Sequence, residues 1–336
     1  MDLHTGFRYK LQRGWSWSGS VTIIRMLGAR IVLSMLTLLI VSIIIFALLE
    51  VLPGDVASRI LGRDATPEAL ALLREKLHLN EPAVIRYFSW LGGIVQGDFG
   101  KAITSSRPIS EILAPRLFNS VLLSLYAFLI YIPLSLIPAL IQASRRDREV
   151  DHVISVINLV FLSIPDFLLG TCLLVLFCVA IPILPAVSLV DQSSTAMQYV
   201  RAMTLPAITL AIAMAIAAVR MLRDNLIEVL DSEYVRMAEL KGLPSRAVLL
   251  RHALPNALVP TLNVTAINLG YLIGGVVIVE KVFSYPGFGG LLVDSLQYRD
   301  IPLIEATVII AAAVYVGANL LAHLGAILLN PRLRSG

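Results

Sequence analysis

The chain has 336 residues, of which 57% are hydrophobic and 15% are charged, and its formal net charge is +4. Soluble domains carry about 25% charged residues, so this composition excludes an ordinary soluble domain and indicates an integral membrane protein. The basic excess is small, and the placement of Lys and Arg around the apolar segments explains it better than a nucleic-acid partner would.

Six apolar segments account for the hydrophobic excess, and we predict that each one is a membrane-spanning helix. The first, 31–49, has no ionisable residue and at about 1.5 Å per residue spans about 28 Å, close to the hydrocarbon thickness of a bilayer. Only helices satisfy the backbone polar groups there, so the predicted fold is an all-α integral membrane protein with six transmembrane helices. The other segments are 121–143, 153–179, 205–219, 258–279 and 304–329.

Three of these segments carry further local signals. Pro165 removes a backbone hydrogen bond and is expected to kink or break the third helix. The fourth segment is short, so its helix is expected to continue past Arg220 and Arg223. The first follows a 30-residue tail and precedes no small-residue cleavage site before Pro53, which favours a retained span over a signal peptide.

The distribution of Lys and Arg predicts the orientation of the chain. These residues concentrate in the N-terminal tail, in the 144–152 loop and between 220 and 251, whereas the alternate short loops carry few. The positive-inside rule therefore places both termini in the cytoplasm. The predicted organisation is a cytoplasmic tail (1–30), a first span (31–49), an external insertion (50–119), a membrane core (120–329) and a cytoplasmic C-terminus (330–336).

The external insertion contains two predicted short helices. Thr66 as N-cap and Pro67 in the first turn predict that one helix begins there. A second is predicted over 82–91, where Tyr87 and Trp90 resemble interfacial anchors. Both would lie at the membrane surface.

A charged segment at 231–256 separates the fourth and fifth apolar segments, and its pattern predicts two short helices joined at a corner. Gly242 can end the first helix in a left-handed conformation, and Pro244 suits the first turn of the second. The corner is expected to expose five charged side chains: Arg236, Glu239, Lys241, Arg246 and Arg251. A solvated loop without a partner is the alternative interpretation.

This 231–256 segment resembles the loop that membrane subunits of ABC importers insert into their ATPase, E-A-A, three residues, G, nine residues, I-x-L-P. Gly242, Leu254 and Pro255 are in register, but Arg236, Met237 and Ala238 replace E-A-A. The sequence Y-V-R-x-A-x-x-K-G-L at 234–243 is similar to the variant of dipeptide, oligopeptide and nickel permeases. The resemblance implies a type I importer permease whose ATPase-coupling residues are Tyr234, Arg236, Ala238, Glu239, Lys241, Gly242, Leu243, Arg251, Leu254 and Pro255.

Two further regions resemble the same permeases. One is the external insertion, with P-G-D at 53–55 and G-D-F-G at 97–100, and the other is Y-P-G at 285–287, which also predicts a type II turn. The resemblance implies that these regions help to form an external gate or to receive a binding protein. An alternative is a structural cap that only seals the helix bundle. The candidate contacts are Asp55, Gly97, Asp98, Tyr285, Pro286 and Gly287.

The sequence contains no recognisable catalytic or metal-binding motif. It has neither a G-x-x-x-x-G-K-[S/T] loop nor an H-E-x-x-H pair, so we predict no metal or cofactor in this chain and expect ATP and Mg²⁺ to be bound by partner subunits. Polar residues within spans are costly and commonly face a passage or another helix. Five such residues are candidates for the translocation path: Asp166, Asn263, Asn268, Glu280 and Glu305.

The resemblance implies one half of a peptide importer in a bacterial cytoplasmic membrane. The expected partners are a second homologous permease, one or two cytoplasmic ATPase subunits, an extracytoplasmic solute-binding protein and the lipid bilayer. Similar permeases import nickel or other small solutes, so the cargo stays open. An autonomous secondary transporter and a non-transporting scaffold are the alternatives from other functional classes.

Overall fold

A computed structural model describes residues 18–51, 66–76, 80–190 and 193–329. Helices dominate these ranges, and no named β-strand occurs within them. The helices are α1 (Ser18–Val51), α2 (Pro67–Lys76), α3 (Ala83–Val95), α4 (Ile109–Ser144), α5 (Glu149–Ser163), α6 (Asp166–Leu174), α7 (Ala196–Leu230), α8 (Glu233–Leu240), α9 (Ser245–Ala247), α10 (Leu254–Val282), α11 (Phe288–Tyr298) and α12 (Ile301–Leu329). Two π-helical stretches, Val175–Ala180 and Val248–Ala253, extend α6 and α9.

The long helices coincide with the predicted apolar segments. Among the described residues, four helices are long and apolar enough to cross a membrane: Gly28–Val51, Ile109–Ser144, Ala196–Leu230 and Ile301–Leu320. The pair α5 and α6 would form a fifth span, and α10 covers the fifth apolar segment with 29 residues. The all-α, multi-span prediction is therefore confirmed.

The third predicted span is broken at the proline. Helix α5 ends at Ser163, α6 begins at Asp166, and the two meet at a bend of 105°. A proline disfavours the helical conformation of the residue before it and cannot donate a backbone hydrogen bond, which explains the break. The fourth predicted helix also behaves as expected, since α7 continues past Arg220 and Arg223 to Leu230.

The helix that contains the second predicted span begins earlier than that span. Helix α4 starts at Ile109, inside the segment assigned to the external insertion, and runs for 36 residues without a break at 119 or 120. Residues 109–120 thus form the first turns of a long helix, and the apolar pattern marked only its later part.

The predicted helices of the insertion are present. Thr66 caps α2 by accepting a hydrogen bond from the Ala69 backbone N–H at 3.3 Å. Helix α3 follows Pro82 and packs on α1 through aromatic side chains, with ring centroids 5.4 Å apart for Phe46 and Tyr87. The Tyr87 hydroxyl lies 2.8 Å from the Ser42 hydroxyl, which strengthens this contact.

The core lies where α4, α7 and α10 pack together. Its members are fully buried, including Leu123, Leu210, Met214 and Phe283. Within the most apolar window of each helix, 72% of the residues are buried in α7 but only 6% in α1. Helix α7 is therefore the central helix, whereas α1 leaves its apolar surface available to lipid.

Helices α10 and α11 approach each other closely at Gly289. A Cβ atom added to Gly289 would lie 2.6 Å from the Val277 Cα, whereas one added to Gly290 would meet nothing closer than the Tyr285 backbone oxygen at 3.6 Å. We expect Gly289→Ala to lower the free energy of unfolding by about 1–3 kcal/mol because the backbone of α10 must move. Gly290→Ala is the matched control, and thermal unfolding of the detergent-purified protein is the measurement. Equal melting temperatures for both variants would contradict this packing.

Candidate functional site

The 231–256 segment forms the predicted corner. Gly242 has φ +81°, its N–H donates to the Glu239 oxygen at 2.8 Å, and the Leu243 N–H donates to the Ala238 oxygen at 3.4 Å. This pair of bonds is the Schellman arrangement that ends a helix at a left-handed residue. Pro244 lies immediately before α9, one residue earlier than its predicted place in the first turn. The corner is thus a defined turn.

One face of the corner is buried against the end of α7. Val235, Ala238 and Val248 form a small cluster that contacts Val229 and Leu230. Ala238, one of the predicted coupling residues, is only 7% exposed and therefore positions the corner without offering a surface of its own.

The opposite face of the corner is open and unusually apolar. Four large side chains point outward and are at least 39% exposed: Tyr234, Met237, Leu240 and Leu243. Around them the predicted charged residues are also exposed, namely Arg236, Glu239, Lys241, Arg246 and Arg251. Clustered exposed apolar side chains with a charged rim are typical of a protein interface.

The second half of the segment ties the corner to α10. The π-helical stretch ends at Ala253, where α10 begins with Leu254 half-buried and Pro255 exposed. The Tyr234 hydroxyl lies 2.9 Å from the His252 Nδ1 and joins the two arms of the corner. Motion of the corner would therefore be transmitted to α7 through α8 and to α10 through this junction.

The described candidate residues for a translocation path make separate contacts. Asn268 donates to the Met214 backbone oxygen at 3.0 Å and joins α10 to α7. Asp166 begins α6 at the break. Glu305 is 9% exposed and faces a cavity of about 530 Å³ between α1, α3 and α12. The side chain of Asn263 lies outside the described residues.

The buried side chain of Glu280 connects α4 to the segment that follows α10. Its carboxylate accepts hydrogen bonds from the Ser120 hydroxyl and, at 2.8 Å, from the Gly290 N–H. Asn119 supports the same region, since its amide donates to the Pro286 oxygen at 2.8 Å. A Cβ at Gly287 would overlap the Glu280 carboxylate. The Glu280 carboxylate therefore makes structural hydrogen bonds between these elements.

The Y-P-G sequence differs from its prediction. Gly287 has φ −101°, which a type II turn does not allow at that position, and the left-handed residue is Ser284 with φ 52°. Tyr285 is 2% exposed and donates its hydroxyl hydrogen to the Asn119 backbone oxygen at 3.0 Å. The type II prediction is wrong because Glu280 and α4 impose another backbone path, and Tyr285 and Gly287 support the surface from within.

The other external candidates lie on a separate turn. Gly97 has φ +81°, and the Asp98 carboxylate accepts a hydrogen bond from the Gly100 N–H at 2.9 Å. Both residues are exposed. Asp55 lies outside the described residues.

Two family models match this chain. Residues 131–335 match the binding-protein-dependent transport system inner membrane component, and residues 23–114 match the N-terminal domain of the same membrane components. The first match covers the corner, α7 and α10. The chain belongs to this family.

Relatives of this transport component match it over nearly their whole length. A Brucella abortus relative named as a peptide transport system permease is 35% identical over 88% of this chain and 95% of its own. A Salmonella choleraesuis relative, named as a glutathione transport system permease, is 34% identical over 89% of this chain and 95% of its own. Membership makes this chain a multi-pass inner-membrane component of a transport system that uses a binding protein.

Sequence reasoning missed a polar cluster in this transport component. Asp151, 1% exposed at the start of α5, receives two hydrogen bonds from Arg223 of α7, at 2.6 and 2.8 Å. Gln142 of α4 donates to the same carboxylate at 3.0 Å. The three helices are thus tied together near the corner. The sequence signal for this cluster is the acidic Asp151, which lies just before the apolar segment 153–179.

A second ion pair links the loop between α4 and α5 to the base of the 231–256 segment. Arg146 donates to the Asp231 carboxylate at 2.7 Å across the exposed surface. The hydrogen bond to Asp231 raises the pKa of Arg146 above its ordinary value. Because both side chains are largely exposed, the pair contributes little to stability and orients the loop.

Proposed function

We propose that this chain is one of two membrane-spanning subunits of an ATP-driven importer and that the 231–256 segment docks into a cytoplasmic ATPase. The observation that carries this proposal is the exposed apolar face of Tyr234, Met237, Leu240 and Leu243 on a corner held by the left-handed Gly242. Such a face is costly in water and is accounted for when a partner covers it.

The proposed complex contains a second homologous permease, one or two ATPase subunits and an extracytoplasmic solute-binding protein. Family membership supports the binding protein and the transport role. ATP and Mg²⁺ would be bound and ATP hydrolysed by the ATPase subunits, with no cofactor in this chain. Docking of the 231–256 segment to the ATPase subunits requires that this segment and both termini face the cytoplasm, with the 50–119 insertion outside.

The mechanical link is helix α7. It runs without interruption for 35 residues, about 52 Å, and ends at the corner. Pro206 inside this helix lacks a backbone N–H, but α7 stays continuous, and its other backbone hydrogen bonds resist bending, so it can transmit displacement. Closure of the ATPases would therefore move α7 against α4 and α10, its neighbours in the core, and change access to a passage shared with the second permease.

Short peptides are the proposed cargo. The relatives are named for peptide and glutathione transport, and glutathione is itself a peptide-like solute with free carboxylates. Nickel or another small solute is the second candidate, supported by the similarity of the 234–243 sequence to nickel permeases as well as to peptide permeases.

The test is reconstitution of the whole transporter in liposomes with binding protein outside and ATP inside. We expect accumulation of labelled di- or tripeptides that requires both ATP and the binding protein. A hydrolysis-deficient ATPase subunit is the control. Uptake driven by an ion gradient without ATPase would indicate a secondary transporter. ATP-dependent uptake of nickel but not of peptide would identify nickel as the cargo.

A further inference from the structure

A large cavity opens at the end of α7 opposite the 231–256 segment. Its volume is about 1200 Å³, and it lies between the first turns of α4, the start of α7 and the Pro286 turn. Small-molecule sites usually measure about 300–1,000 Å³, so this cavity has room for a short peptide. On the proposed orientation it faces the exterior, where a binding protein would release its cargo.

The walls of the cavity combine apolar and polar groups. Phe118, Leu122, Val200 and Met203 supply an apolar surface from α4 and α7. Asn119 also lines it, but its amide and backbone oxygen are engaged by Pro286 and Tyr285. Such walls can accept variable side chains without selecting one.

Three charged side chains line this cavity, and Arg116 is the one that has no ion pair among the described residues. It is half-buried, and within the described part of the chain it makes no hydrogen bond and no ion pair within 4 Å. Glu280 attracts it electrostatically, but that carboxylate already accepts hydrogen bonds from Ser120 and Gly290. Arg107 at the rim, by contrast, lies 3.6 Å from Glu111.

The shape of the Arg116 guanidinium favours one class of ligand. Arginine presents a planar set of N–H donors that matches a carboxylate in a bidentate arrangement. Every unmodified peptide has a C-terminal carboxylate, whatever its side chains. A site that holds this group and leaves the side chains against an apolar wall suits an importer of mixed peptides.

We propose that Arg116 binds the C-terminal carboxylate of the imported peptide as the peptide leaves the binding protein. This inference rests on the proposed function and names a contact within the membrane subunit itself. The carboxylate would pair with Arg116, and the peptide side chains would lie against Leu122, Val200 and Met203. The membrane subunit thereby adds a selection step of its own.

The test compares a peptide with its C-terminal amide, each preloaded on the binding protein, in the complete reconstituted transporter. We expect Arg116→Gln to lower kcat/KM for the free acid by about tenfold or more, the usual consequence of losing a hydrogen bond to a charged group. Transport of the amide should be unchanged, so the preference for the acid is lost. Arg116→Lys should retain part of that preference.

The matched control is Arg299→Gln, which makes the same change of charge. Arg299 is exposed and does not line the cavity, although its neighbour Asp300 binds Thr104 at 2.9 Å on the same side of the protein. This variant should transport both substrates as the unmodified complex does. This control distinguishes the effect of losing one positive charge from the effect of losing the Arg116 contact in the cavity.

Two results would overturn the carboxylate site alone: unchanged transport by Arg116→Gln, or equal losses for acid and amide. Equal losses would indicate that Arg116 instead contacts the second permease or maintains the local structure. Failure of the unmodified complex to import any peptide with ATP would overturn both the site and the proposed function. The outcomes are therefore distinguishable.

Discussion

Gly242→Val is expected to reduce ATP-dependent uptake about tenfold or more while the protein still inserts into the membrane. Gly242 has φ +81°, a conformation that costs other L-residues roughly 1–2 kcal/mol and is an outlier for a β-branched residue. A Cβ there meets nothing within 4 Å, so the effect arises from backbone strain and not from a clash. Since about 1.4 kcal/mol is a factor of ten, this strain lowers the ratio of the native corner to altered conformations by roughly tenfold.

The measurement is co-purification of the ATPase with the tagged variant, together with uptake in liposomes. Gly242→Asn is the matched control because asparagine tolerates the left-handed region, and it should retain most of the ATPase. Normal assembly and uptake of the Gly242→Val variant would contradict the docking proposal. Equal loss with valine and asparagine would show that any side chain at the corner interferes, and would contradict the strain argument.

Arg223→Ala is expected to cause the largest loss of stability among single substitutions of charged residues in the described helices. It leaves the Asp151 carboxylate, 1% exposed, without its cation. Breaking a buried ion pair from one side costs about 3–5 kcal/mol. We expect a value near the lower end, about 3 kcal/mol, because Gln142 and the Asp147 N–H still donate to the carboxylate.

The measurement is denaturant or thermal unfolding of the purified protein in detergent. Asp224→Asn is the control, since Asp224 contacts the same guanidinium at 3.0 Å but is 58% exposed, and its loss should cost about 0–1 kcal/mol. The double variant Asp151→Asn with Arg223→Gln should recover part of the loss by removing both charges. A loss for Asp224→Asn as large as that for Arg223→Ala would refute the buried-pair explanation.

Local sequence chemistry predicted several features well. The apolar segments became helices because a backbone that lacks water must form its own hydrogen bonds. Pro165 broke the third span and Gly242 ended α8, since both residues act through their own backbone geometry. These effects depend on a few adjacent residues and therefore can be recognised without a fold.

Other features depended on contacts between distant residues. The pair of Asp151 and Arg223 joins residues 72 positions apart, and Glu280 reaches Ser120 across 160 positions. The early start of α4 at Ile109 also escaped prediction because its buried residues, Ile109 and Leu113, pack against α11 and α12 but do not belong to an apolar run. No local pattern specifies such neighbours.

The sequence by itself determined the membrane class, the positions of the helices and the resemblance of the 231–256 segment to an ATPase-binding loop. Hydropathy, proline and glycine act within one segment, so they need no partner to be interpreted. Only the tertiary structure decided that Tyr285 supports the outer surface from within and that Arg116 lines a cavity without an ion pair in the described part of the chain. Burial and charge pairing are properties of neighbouring helices, and they exist only after the helices have packed.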